Sequence, residues 1–315
     1  MPSTITHEYY YRDIYEYTSD AFKKTYPKDF YRTYSAGSQG HDAYFFLDFW
    51  NLPQFKKKCD RASSLQDERF QNLCVDLIKS IIEDEGTDNK QIKLLLYGYI
   101  LHHLLDSYVH PYIIYETENF KIHAPVESYL DERMIKEREK TDPTRFPVHK
   151  MIPKIPRFSK ETKDILDKSF LKIYGIPNFG VTYERALRQV PIFLRLFRYD
   201  PLGIKMLGYR LVDFTHISKT DYYWLSYKDK FPGYERFLND EHREWYHPNT
   251  GEISTSSFKE LYDRAVLEGA HIISELEDAI TNKLDEKKLY KIIPKISANP
   301  LIKNGVKVTV FNCRK

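Results

Sequence analysis

Along most of the chain, apolar residues recur at the three-to-four-residue spacing of an amphipathic helix, and the alternation of a half-buried strand is scarce. Phe70, Leu73, Cys74, Leu77, Ile78 and Ile81 form one helical stripe, and Ser64-Leu65-Gln66-Asp67 ahead of it resembles a capping box. Asp88 is placed to cap a second helix carrying Ile92, Leu95, Leu96, Tyr99 and Ile100, with Pro111 expected to stop or kink it. The clearest amphipathic pattern follows the full capping box Ser257-Phe258-Lys259-Glu260 and runs through Leu261, Tyr262, Ala265, Val266, Ile272, Ile273 and Leu276. Weaker helical patterns cover roughly 5–24, 124–139, 160–173, 181–197 and 203–226. Strand pattern appears only at the end, where Leu301-Ile302-Lys303 and Val306-Lys307-Val308-Thr309-Val310 flank Asn304-Gly305 as a short hairpin. Residues 141–158, with Asp142-Pro143, Phe146-Pro147, Ile152-Pro153 and Ile155-Pro156, read as a long loop. No internal repeat or low-complexity tract interrupts this picture. The fold class is therefore all-α, a helical bundle with a short C-terminal β-hairpin.

Composition narrows the class. At 315 residues and 42% hydrophobic content the chain can bury a substantial core, which excludes disorder. Its 48 Lys+Arg nearly balance 45 Asp+Glu, so bulk charge does not mark a dedicated nucleic-acid binder. The balance is uneven along the chain. Residues 287–315 hold eight Lys/Arg and no acid, so the total of +3 leaves the other 286 residues five charges net negative. The organisation expected is a helical domain over 1–284 and a basic tail or hairpin over 285–315. A solvated terminal face is the plainer reading of that tail, and contact with an anionic membrane or nucleic acid is the functional one. No run approaches the roughly 18 apolar residues of a spanning helix, and the N-terminal residues lack a signal-peptide pattern, so a cytoplasmic protein is expected. Cys59, Cys74 and Cys313 are odd in number and far apart, which leaves any metal to His and carboxylate ligands.

Those ligand types cluster early in the chain. His102, Asp106 and His110 are each four apart on one predicted helix, so successive side chains drift by only about 40° and share a face. His103 lies about 100° round from His102 and is placed to pack or hydrogen-bond behind it. His123 and Glu127 form a second His and carboxylate pair at i and i+4, with Asp131 one turn further. One such pair is ordinarily a surface or core contact. Two of them plus His110 within 26 residues, interleaved with Leu and Tyr, favour a shared cation, because buried acids and imidazoles need partners. Imidazole nitrogen and carboxylate oxygen are the ligands zinc takes when no thiolate is present.

The opening Met-Pro-Ser-Thr-Ile-Thr-His7, Gly37-Ser-Gln-Gly-His-Asp42-Ala-Tyr-Phe-Phe, Tyr97-Gly-Tyr-Ile-Leu-His102-His-Leu-Leu-Asp106-Ser-Tyr-Val-His110-Pro-Tyr and His123-Ala-Pro-Val-Glu127, in this order, resemble the zinc-dependent phospholipase C family, in its intracellular, mostly uncharacterised bacterial branch. Leu238-Asn-Asp-Glu-His-Arg-Glu-Trp245-Tyr-His-Pro248 and Ser257-Phe-Lys-Glu-Leu-Tyr extend the likeness to about residue 280. The resemblance implies a bundle of the phospholipase C and P1 nuclease type around one to three zinc ions. It implies Asp106 as a carboxylate bridging two metals, one also held by His7 and the other by Asp42 and His102, with a third held by His110, His123 and Glu127. The aspartate matching Asp42 is also discussed in the family as the base that activates water, which makes Asp42 the first choice for that role.

The chain departs from the family at two places. Met1 and Pro2 precede His7, where the secreted members use a processed N-terminal residue as ligand. No histidine occurs from 43 to 101, where the family has one, and Gln66 or Asp67 falls about there as a replacement ligand. His41 stands where the family usually has proline; it is either a compensating ligand or a neighbour, and neighbour is the favoured reading. His242, Glu244 and His247 surround Trp245 as a structural aromatic-polar cluster, and His149, His216 and His271 are isolated, the last near the core face of its helix. Gly-rich phosphate loops, Gly-x-Ser-x-Gly elbows and Cys-His arrangements are missing. The function expected is metal-dependent hydrolysis of a phosphodiester or phospholipid head group. The alternatives are a single-strand nuclease of the S1/P1 kind, and a catalytically degenerate zinc-binding fold that binds lipid or protein.

Overall fold

The structure is a computed structural model that describes residues 4–51, 57, 60–84, 89–117, 123–196, 204–214, 233–298, 302–303 and 306–307. In chain order its helices are α1 (Thr4–Tyr17), α2 (Asp20–Thr25), α3 (Lys28–Thr33), α4 (Ala43–Phe46), α5 (Arg69–Glu83), α6 (Lys90–Thr117), α7 (His123–Glu139), α8 (Lys160–Tyr174), α9 (Phe179–Leu196), α10 (Ile204–Phe214), α11 (Phe258–Thr281) and α12 (Glu286–Ile292). Tight 3₁₀ segments occupy Ser35–Asp42, Val148–Lys150 and Glu235–Leu238. Residues 60–64 are also helical, and among the described residues there are two antiparallel two-stranded ribbons, β1 (Trp245–Tyr246) with β2 (Ile253–Ser254) and β3 (Ile302–Lys303) with β4 (Val306–Lys307). The all-α expectation holds.

The spine is α6. Its 28 residues span about 42 Å and are apolar nearly all round, the pattern of a helix enclosed by others. The segment Ser35–Asp42, α11, α5, α1 and α7 pack on it, while α8 and α9 form an outer pair that reaches α5 and α4. Gly98 lets the Ser35–Asp42 segment approach: a Cβ there would lie 2.6 Å from the Gly37 carbonyl carbon and 2.9 Å from Ser38 N. Pro111 sits inside α6 and does not end it. It forfeits the one backbone bond to residue 107, but the flanking turns are buried among neighbouring helices, and packing outweighs that loss.

Other departures have local causes. The single helix expected over 5–24 is two, because Thr18 Oγ1 donates to the Tyr15 carbonyl and Ser19 starts afresh by accepting from Phe22 N. Ser64 ends a helical turn over 60–64, its Oγ donating back to the Arg61 carbonyl, so it opens no helix; Asp67 accepts from Arg69 N, and α5 begins at Arg69. The strands β1 and β2, two residues each, are too short to show alternation in the sequence. His271 faces solvent beside Glu275, not the core. Of the 203–226 helix, 204–214 is helical; Asp88, His216, residues 215–226, the Asn304-Gly305 turn, Cys59 and Cys313 lie outside the described residues.

Several of the 26 tyrosines have a packing account. Tyr11 and Tyr31 stack at 4.1 Å and each hydroxyl donates to the other's backbone carbonyl. Tyr26 and Tyr97 both donate to Glu277 Oε1. Each ring fills core volume while its hydroxyl finds an acceptor. The loop 141–158 also covers core, burying Val148, Met151, Ile152, Ile155 and Phe158. Leu289 and Ile293 are fully buried, and Ser297 Oγ donates to the Gln66 carbonyl, so residues 285–298 lie against the helices. No helix among the described residues is long and apolar enough to cross a membrane.

Candidate metal centre

Four separate pieces of chain bring the acids and imidazoles together. The face of α6 presents His102, Asp106 and His110; α1 supplies His7; the Ser35–Asp42 segment ends on His41 and Asp42; the first turns of α7 supply His123 and Glu127. Gly40 makes the approach to α6 possible. Its backbone has φ 49° and ψ −136°, a conformation closed to side chains, and a Cβ there would lie 2.4 Å from the His102 ring.

The donor atoms form one continuous run. His41 Nε2 lies 3.1 Å from Asp42 Oδ1, and Asp42 Oδ2 lies 3.6 Å from His102 Nε2. Asp106 then takes three imidazoles: His102 Nε2 at 3.2 Å from Oδ2, and His7 Nε2 at 3.2 Å and His110 Nε2 at 3.5 Å from Oδ1. His110 Nε2 is also 3.5 Å from Glu127 Oε1, which is 3.0 Å from His123 Nε2. Among the described residues, two donor groups are tight enough to share an ion, His41 with Asp42, His102 and Asp106, and His110 with His123 and Glu127. Two ligands about 2.0–2.1 Å from one tetrahedral metal are about 3.3 Å apart. The separations of 3.5 and 3.6 Å are long for hydrogen bonds but suit that edge.

Ring orientation sharpens the case. His102 Nδ1 is 2.9 Å from the Ser38 carbonyl and His110 Nδ1 is 2.6 Å from the Ala298 carbonyl. Carbonyls only accept, so both rings carry Nδ1–H and turn Nε2 lone pairs toward the carboxylates, the arrangement that second-layer acceptors impose on metal-binding histidines. Lone pairs facing carboxylate oxygens repel unless something positive lies between. His102 Nε2, Asp106 Oδ2 and Asp42 Oδ1 are buried and make no hydrogen bond among the described residues. A cation satisfies all three at once.

Electrostatics point the same way. Burial pushes the Asp42 carboxyl up to about 7, against the pull of His102. Burial, with His102 adding to it, holds His41 well below the usual imidazole range. Burial opposes charge on Asp106 and Glu127, yet the imidazoles around each hold both below the ordinary carboxylate range. Burial would lower His110, but Asp106 and Glu127 outweigh it and raise the ring to about 10. Without metal, protons therefore supply the positive charge. For Asp42 the stabilisation present below its ordinary 3.8 is lost as pH rises toward about 7. For His110 it is present below 6.5 and lost as pH rises toward about 10. Asp106 and Glu127 work in reverse, contributing above their ordinary values and losing that contribution in acid. Metal-stripped protein should thus melt at progressively lower temperature from about pH 5 to pH 9, while zinc-supplemented protein gains stability over the same range as protons stop competing for the ligands. Melting scans in chelator and in zinc across this range check it; parallel curves would contradict it.

The remaining sequence candidates take other places. His103 stacks on Phe70 at 4.0 Å, with its ring nitrogens 3.3 and 3.1 Å from the Tyr99 and Leu65 carbonyls. Asp131 caps α1, accepting from Ile5 N, Thr6 N and Thr6 Oγ1, and so fixes the turn that carries His7. Gln66 Nε2 lies 2.9 Å from His41 Nε2, so the glutamine meets the cluster through that ring. Asp67 instead holds Arg69 at 2.7 Å and belongs to neither donor group. His41 offers its Nε2 within the first donor group, and the same nitrogen meets Gln66 Nε2. His242 and His247 bond locally around Trp245, whose indole donates to the Ser256 carbonyl. The Ser38 and Ala298 carbonyls, which orient two rings, left no mark in the sequence, since any residue carries a carbonyl. Exposure rises along the run: the side chains of His41 and His102 are 0% exposed, His110 11% and His123 16%, so solvent enters at the Glu127 end.

No protein-family model, no curated protein and no solved structure matches the chain.

Proposed function

We propose that the chain is a metal-dependent hydrolase of phosphodiesters, acting at the His/Asp/Glu run. The observation that carries this reading is the run of donors 3.0 to 3.6 Å apart, within which His102 Nε2, Asp106 Oδ2 and Asp42 Oδ1 are buried with no hydrogen-bond partner among the described residues. The donors present, imidazole and carboxylate with no thiolate, fit zinc, with His7, Asp42, His102 and Asp106 at one end and His110, His123 and Glu127 at the other. Bound there, zinc would supply Lewis-acid polarisation of a phosphoryl oxygen and lower the pKa of a water toward neutrality.

The chain's own groups do the rest. Asp42 Oδ1, buried among the donors, is the carboxylate oxygen placed to take a proton there. His41 sits 3.1 Å from that oxygen and Gln66 steadies the imidazole. The partly exposed His110 and His123 mark the side from which an anionic substrate enters. Purified protein should hydrolyse a soluble phosphocholine ester, lose that activity to chelator and regain it with zinc. Hydrolysis of single-stranded nucleic acid instead of the ester would select the nuclease reading. Inactivity toward both, with metal bound, would leave the degenerate binding fold, the reading that the missing histidine between 43 and 101 favours.

A further inference from the structure

Helix α10 is unlike the others. Every side chain described on it is exposed, and four of these are large and apolar: Ile204 at 69%, Leu207 at 62%, Leu211 at 61% and Phe214 at 81%. Their spacing of three, four and three places them in one stripe about 80° wide. Lys205 and Arg210 lie on either side of it. Lys205 Nζ reaches the Leu196 carbonyl at 3.5 Å, which joins the stripe to the end of α9. There Leu196 is exposed, and Phe193 packs on Phe49, beside the 60% exposed Trp50.

We propose that α10, with the adjoining end of α9, is an interfacial helix that docks on an anionic phospholipid surface. An apolar stripe flanked by Lys and Arg on a short amphipathic helix is the pattern that lies in the headgroup boundary, with apolar side chains in the acyl layer and cations among the phosphates. A ridge four side chains long falls well short of the roughly 800 Å² per partner of a stable dimer, whereas a few inserted apolar groups and basic flanks suffice for reversible lipid binding. This surface stands independently of the hydrolytic reading, since docking requires no turnover.

Co-sedimentation with vesicles tests it, using the full chain and no substrate assay. Wild-type protein should pellet with vesicles of phosphatidylcholine mixed with phosphatidylserine, and weakly with phosphatidylcholine alone. Leu207→Glu combined with Leu211→Glu should cut binding at least about tenfold. Lys205→Glu with Arg210→Glu should abolish the preference for anionic vesicles and its salt dependence. Leu207 and Leu211 are solvent-exposed, so the melting temperature of the leucine variant should not move, and circular dichroism should show helical content retained in both variants. Failure of wild type to pellet with anionic vesicles would overturn the proposal. So would leucine variants that bind like wild type, including the case where they alter only the oligomeric state, which would assign the stripe to a second copy of the chain.

Discussion

Asp106→Asn should strip the centre of tightly held metal, with zinc affinity falling by more than the about 10–100-fold that changes behind the ligands cost. Asp106 lies within 3.5 Å of a ring nitrogen of each of three imidazoles, His7, His102 and His110, and it joins the two donor groups. An amide keeps the volume but removes the charge and turns a donor toward rings whose lone pairs already face it. In metal-stripped protein the same change also deprives His110 of part of the attraction that raises its pKa. The measurement is zinc titration of stripped wild-type and variant protein, with retained helical content as the control. Equal affinity would mean that Asp106 is an ordinary buried acid paired with histidines.

Asp42→Asn should lower turnover by about 10²–10⁴, the range for loss of a positioned base, with a much smaller change in KM. The fold should survive, because burial already favours the neutral form of this carboxyl at and below about pH 7, and asparagine mimics that form. Glu127→Gln offers the contrast. It lies at the opposite end of the run, against His110 and His123, and its effect should appear first in metal content. A variant at Asp42 with wild-type turnover and intact metal would remove it from both the chemistry and the ligand set.

How much of this was legible depended on whether residues act locally or through distant partners. The helical spacing of 102, 106 and 110 fixed a shared face because i and i+4 positions coincide on any helix, and the capping box at Ser257 formed as read. The positions of His7 and of Asp42 were not derivable from spacing. They depend on Asp131 capping a helix over 120 residues away in sequence, and on Gly40 and Gly98 removing side chains where the Ser35–Asp42 segment crosses α6. Pro111 did not stop its helix, because a local rule met a helix held from several sides. Ala298 was invisible, since the site uses its backbone. The exposed stripe of α10 reads as ordinary amphipathicity in sequence, and only burial distinguishes a stripe facing the core from one facing solvent.

The most direct test of the centre is the metal content of untagged protein, purified without added zinc, by elemental analysis. About one or more zinc ions per chain should be found, retained through dialysis, removed by strong chelator with a fall in melting temperature, and restored by zinc. Less than about one ion per chain, with none taken up on reconstitution, would contradict the account.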